Sequence, residues 1–197
     1  MLPVYIKHQN VVLRDYKETD IEDEIRWYST ETEWQNYDAP WENNSITEYE
    51  IRRRRKSRIA NLPNRTNITS LEIDTEDGVH IGWVSLYYID QRYMYTVVKN
   101  NAIGVAIGID ICESKYWGKG YGTAAFSYWL DYVRKHYDFD IYTQTWSGNI
   151  RMINLAKRLG FKLKEDKASS QADVVDSSTE AMNKMMVKWC HNKYFFL

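Results

Sequence analysis

Three glycines fall within five residues, Gly118, Gly120 and Gly122, in the run YWGKGYGTAAFSYWLDYV, just where an amphipathic helix begins. Glycine lets backbone N–H groups converge on a ligand because no Cβ intervenes, and a helix N-terminus adds partial positive charge. Together these make a cradle for an anion such as a phosphate. The spacing is not that of the GxxxxGK[ST] nucleotide loop, since Lys119 stands between the glycines. Nor does it open a leading βαβ unit with an acidic ribose partner, as dinucleotide sites do. A tight strand-to-helix turn is the reading of the same residues that carries no chemistry.

Other residues suggest less. His8, His80, His136 and His191 lack ligand-like spacing, and Cys112 and Cys190 form no CxxC, so no metal site is expected and the cysteines suit a reducing cytoplasm. The run Arg52–Arg55 with Lys56 and Arg58 reads as a solvated helix face, with contact to RNA or to a ligand phosphate as the alternative. A net charge of −1 argues against nucleic acid as the principal partner. Residues 31–42 mix Glu31, Glu33, Asp38 and Glu42 with Trp34, Tyr37 and Trp41, a composition able to hold a cationic amine by carboxylate and cation–π contacts. The same aromatics could instead pin the loop to the core.

The elements that must position these groups follow from periodicity. A short strand is expected at NVVLRDY, then a helix from an Asp20 cap with Ile21, Ile25 and Tyr28 at helical spacing, then an irregular segment and a second helix over about 46–60. Strands follow at ITSLEID, VHIGWVSLYYID and AIGVAIGIDIC, the first two joined by an Asp77-Gly78 turn. In the helix after the glycines, Phe126, Trp129, Leu130, Val133 and Tyr137 recur on one face. FDIYTQTW is a strand, Asn149 caps the helix IRMINLAKRL, and Gly160 closes it. Residues 161–165 and 183–190 suggest a terminal strand pair, separated by an extended or mobile loop at about 166–182. This order predicts one domain over 1–197, an α/β (α+β) fold with a mixed, mostly antiparallel central sheet flanked by helices. No window approaches the about 18 apolar residues of a membrane span, and a monomer or homodimer is expected.

IGIDICESKYWGKGYGTAAF followed by SGNIRMINLAKRLGF resembles the GNAT superfamily of acyl-CoA-dependent N-acetyltransferases. The likeness is greatest to its ribosomal-protein N-terminal acetyltransferase branch, whose members often read YWGKGYGT and begin with an LR strand, here Leu13-Arg14. The resemblance implies a GNAT-like acyl-CoA N-acyltransferase fold, with acetyl-CoA as acyl donor and no metal. It puts the pyrophosphate against the backbone of Trp117, Gly118, Lys119, Gly120, Tyr121, Gly122 and Thr123, and the pantetheine arm near Asn149. Backbone around Ile109, Asp110, Ile111 and Cys112 is implied to meet the thioester, and the segment with Glu33, Trp34, Tyr37, Asp38, Trp41 and Glu42 to line the acceptor side.

The implied reaction is direct acyl transfer to a primary amine, whether a protein N-terminus or a small molecule. An alkylammonium with pKa about 10 must lose its proton before attack, and the oxyanion needs N–H donors. Many relatives carry a Glu as base where Ala106 stands and a Tyr as thiolate acid where Ala156 stands. Asp110 shares strand parity with Ala106 and is the candidate base, with Glu33, Asp38 and Glu42 of the early segment as the other candidates. The two alanines leave a catalytically inactive CoA-binding module as the alternative function, and the arginine run leaves an RNA-associated protein behind it.

Overall fold

Short apolar stretches flanked by turn residues set the strands. The computed structural model describes residues 3–38, 40, 45–97 and 99–163, together with the backbone of 186–191. Trp41, Glu42 and the expected loop at about 166–182 lie outside these residues. The chain divides into two compact units, one of residues 1–86 and 108–132, the other of 87–107 and 133–197. The architecture is a mixed, mostly antiparallel sheet with helices.

The first unit opens with one strand more than the sequence suggests. Strands β1 (Tyr5–His8) and β2 (Val11–Arg14) form a hairpin whose turn places Gln9 at φ 53°. β1 alternates exposed and half-buried residues and carries no apolar run, so its signal is weak. β2 pairs antiparallel with β3 (Ser70–Thr75), and β3 with β4 (His80–Ile89). On one face of this ladder Leu13, Leu71, Ile73 and Val84 are fully buried. The opposite face carries Arg14, Glu72 and Ser70, with Trp83 across from Glu72 and Ser85 across from Ser70.

Helix α1 (Asp20–Ser29) has Thr19 at its N-cap position with no side-chain cap bond, and Asp20, the expected cap, turns its carboxylate inward to Arg14. Its buried stripe is Asp20, Ile21, Glu24 and Trp27, so acids share the stripe with the apolar residues. A 3-10 turn occupies Thr32–Asn36. Helix α2 (Glu48–Asn61) starts with a capping box, Thr47 accepting from the Glu50 amide while Glu50 accepts from the Thr47 amide. Helix α3 (Tyr121–His136) follows the glycines, and its predicted apolar stripe is buried: Phe126, Trp129, Leu130 and Val133, with Tyr137 just beyond its end.

The second unit contains the parallel step. β5 (Gly104–Ile111) pairs in parallel with β6 (Asp140–Trp146) over Gly104–Ala106 against Asp140–Tyr142. β6 pairs antiparallel with β8 (Met186–His191), and β8 with the two-residue β7 (Lys162–Leu163), which is the terminal pair expected. Asn149 caps α4 (Ile150–Arg158), its Oδ1 accepting from the Met152 amide at 3.0 Å, and Gly160 follows at φ 82°. Ala106 is fully buried with Ile89 and Tyr142, and Ala156 is fully buried on α4.

Candidate active site

The glycine loop is a backbone surface. Gly118 and Gly120 sit at φ 73° and 92°, values that L side chains rarely adopt, and both are exposed. A Cβ on Gly118 would meet nothing within 4 Å, and one on Gly120 only the Asn10 Nδ2 at 4.0 Å, so the loop has open space above it. The Ala124 amide closes the first turn of α3 onto Gly120 O, which leaves the amides of Tyr121 and Gly122 at the helix start, where a pyrophosphate fits. Gly122 lies on that turn with ordinary φ, and a Cβ there would rest 3.8 and 3.9 Å from Ile111 Cγ1 and Ile109 Cδ1. Those two isoleucines therefore floor the cradle. Lys119 Nζ stands over the Tyr116 ring, itself edge-on to Tyr121.

Strand alternation sends Asp110 to the other face of β5 from Ile109 and Ile111. It is half-buried there and accepts a hydrogen bond from the Trp83 indole. Burial holds its carboxyl well above the ordinary aspartate range, the negative charge of Asp38 raises it further, and the Trp83 hydrogen bond offsets part of the rise. Gly82 lets β4 approach closely at this point, since a Cβ on it would overlap the Asp110 carbonyl oxygen. The end of β5 is fixed on both sides. The Cys112 amide donates to Ile81 O at 2.8 Å, and Trp117 Nε1 donates to Ile111 O at 2.7 Å. Glu113 is then gripped by Arg26, by Trp27 Nε1 at 3.0 Å and by Lys115.

The acceptor-side residues separate by depth. Trp34 is buried, its Nε1 donating to Trp27 O at 3.0 Å and its ring edge-on to Tyr28 and Trp83. Tyr37 is half-buried and meets Trp117 edge-on at 5.1 Å, joining this segment to the start of the glycine loop. Glu33 and Asp38 are exposed. Cys112 packs between Trp27 and Trp34, and burial pushes its thiol pKa up, the opposite of an activated nucleophile. Asn149 belongs to the other unit, where the structure gives it the α4 cap.

Sequence reading missed what lies behind Asp110. Arg14 forks onto Asp20 at 2.6 and 2.9 Å and reaches Asp74 at 2.5 Å. His80 lies between Asp23 at 3.1 Å and Glu72 at 3.2 Å; burial lowers its pKa, but these hydrogen bonds and charges raise it more, to about 9. Asp20 and Asp23 lie close to His80, which pairs with Asp23 and Glu72. The arginine run is divided rather than uniformly solvated. Arg53 and Arg54 are exposed, whereas Arg52 forks onto Glu22 and Arg55 onto Glu24, tying α2 to α1. Trp83 and Ser85 could have been singled out, because in GWVSLYY they alternate with buried Val84 and Leu86.

A family model described as an acetyltransferase (GNAT) domain matches residues 10–162. No curated protein matches the chain. Among solved structures, a GNAT-family acetyltransferase from Bacillus anthracis is similar at TM-score 0.64 and 14% identity, covering 96% of this chain and 99% of its own. RimL, a ribosomal L7/L12 alpha-N-protein acetyltransferase in complex with coenzyme A, is similar at TM-score 0.65 and 13% identity, over 96% and 98%. A ribosomal-protein-alanine N-acetyltransferase from Brucella melitensis gives 0.63 and 15%, over 91% and 98%. At such identities these likenesses concern the fold. Among the described residues, no helix is long and apolar enough to cross a membrane.

Proposed function

The chain belongs to the GNAT acetyltransferase family, and from that membership we propose that it moves the acetyl group of acetyl-CoA onto a primary amine, with Asp110 taking the amine's proton. Acetyl-CoA is a substrate here rather than a resident group. Its pyrophosphate lies against the amides of the glycine loop, and its acyl end runs along the Ile109–Ile111 backbone. The amide of Cys112 is committed to Ile81 O, so oxyanion contact falls to the residues before it. The amine nitrogen attacks the thioester carbon as its proton passes to the Asp110 carboxylate; the C–S bond then breaks and the thiolate departs.

The observation that carries this reading is the position of Asp110. It shares a strand with the floor of the cradle yet faces the acceptor-side segment, and its raised pKa brings it nearer the working pH of a general base. This favours an enzyme over an inactive CoA-binding homologue. Thiol release from acetyl-CoA, followed with a panel of amines, tests it. Amine-dependent release in the wild type, lost in Asp110→Asn with CoA affinity unchanged, is the expected result. CoA binding with no release for any amine supports the inactive module instead.

A further inference from the structure

Behind Asp110 the first unit holds a cavity of about 190 Å³, whose lining includes Glu24, Arg55, Arg58, Glu72, Trp83 and Ser85. Trp83 is common to the cavity and the acid, because its ring lines the one and its indole N–H binds the other. Ser85 lies beside Gly108, two residues before Asp110, at 3.1 Å from where a Cβ would stand. Resting on the acetyltransferase reading, we propose that this cavity is an acceptor subsite, and that it takes the uncharged, hydroxylated ring of a small amino-sugar-like amine whose nitrogen meets Asp110.

Size limits the ligand first. A cavity of about 150 Å³ accommodates benzene, so 190 Å³ suits a six-membered ring with small substituents and is too short for an extended polyamine. Charge limits it next. Glu24 is held by Arg55, and Glu72 by Arg58 and His80, so each cavity carboxylate already has a cation. A bare ion entering would compete with a buried partner and leave a charge unpaired. Hydroxyl groups need break no pair. Among the described residues, Ser85 Oγ, Arg55 Nη1 and the Nε and Nη1 of Arg58 make no hydrogen bond. A flat wall completes the fit, since the half-buried Trp83 indole can pack against the C–H face of a saturated ring while its hydroxyls reach the polar groups.

The test is calorimetric titration of glucosamine, cyclohexylamine, spermidine and a serine-initiated tripeptide into wild type, Ser85→Thr and Ser85→Val. Threonine and valine have nearly the same bulk and differ by the hydroxyl, so their comparison isolates that group. Glucosamine should bind wild type at least tenfold more tightly than the other three. It should bind the threonine variant about fivefold more tightly than the valine variant, the worth of one hydrogen bond of about 1 kcal/mol. Equal or tighter binding of spermidine, cyclohexylamine or the peptide overturns the proposal, as does equal binding of glucosamine by the two variants. CoA titrated into the same samples reports separately on the acetyltransferase reading, which falls if CoA does not bind while the amine results still decide the cavity.

Discussion

The glycine loop and the charged layer beneath α1 and α2 solve the problem of holding a polar partner in opposite ways. The loop uses main chain from a few consecutive residues, is exposed, and has open space around it. The charged layer uses side chains from β2, α1, α2, β3 and β4, nearly all buried and paired. A backbone cradle needs only local conformation, so its residues can change identity as long as the glycines remain. A buried network needs every member, because each carboxylate there relies on a particular cation.

The largest effect that could break this contrast lies in the network. Arg14→Leu leaves Asp20 and Asp74 buried with their guanidinium removed, and should cost about 3–5 kcal/mol in urea unfolding. A loss under about 1 kcal/mol would show the layer to be no more demanding than a surface.

His80 gives the next effect. Its folded pKa, about 9, exceeds the ordinary 6.5, so its contribution is complete below pH 6.5 and is lost as pH rises through 9. That span corresponds to about 3 kcal/mol. Melting temperature should therefore fall across this window in wild type and fall less in His80→Gln. Parallel curves would remove His80 from the account.

Asp110 stands between the two regions. Asp110→Asn should lower kcat by about 10²-fold, as loss of a general base does, and flatten the acid limb of the pH–rate profile. Its raised folded pKa also means that stability falls as pH climbs from the ordinary aspartate value through the folded one. The asparagine variant should thus gain stability over wild type at neutral pH and lose that advantage in acid. An unchanged profile with full activity would return Asp110 to a structural role.

Smaller effects belong to the cradle. Gly122→Ala adds a methyl group with ordinary contacts in a helix, where alanine is favoured by about 1 kcal/mol. It should hold or raise the melting temperature while weakening CoA about tenfold, because the methyl group obstructs close approach to the amides. Gly120→Ala is a poorer probe, since φ 92° imposes strain whether or not a ligand binds. If Gly122→Ala binds CoA normally, the anion lies elsewhere. The smallest change is expected from Asp38→Asn, which removes a negative charge and should move the Asp110 limb to lower pH.

By itself the sequence determined whatever depends on near neighbours in the chain. The glycine run, the α3 stripe from Phe126 to Val133, the Asn149 cap and the Gly160 stop are local patterns, and each stands where periodicity and turn chemistry put it. The parity of Asp110 with Ala106 was also legible, because a strand fixes faces by counting in twos. Only the tertiary structure decided what the other side chains meet. It drew Trp34 and Cys112 into one aromatic cluster, turned Asp20 and Glu24 inward, split the arginine run, and set Trp83 against Asp110. Arg14 and Asp74 are sixty residues apart in sequence yet share a hydrogen bond. An acid on a helix reads as solvated until its cation is known, and that cation comes from an element whose approach is set by the packing of the whole unit.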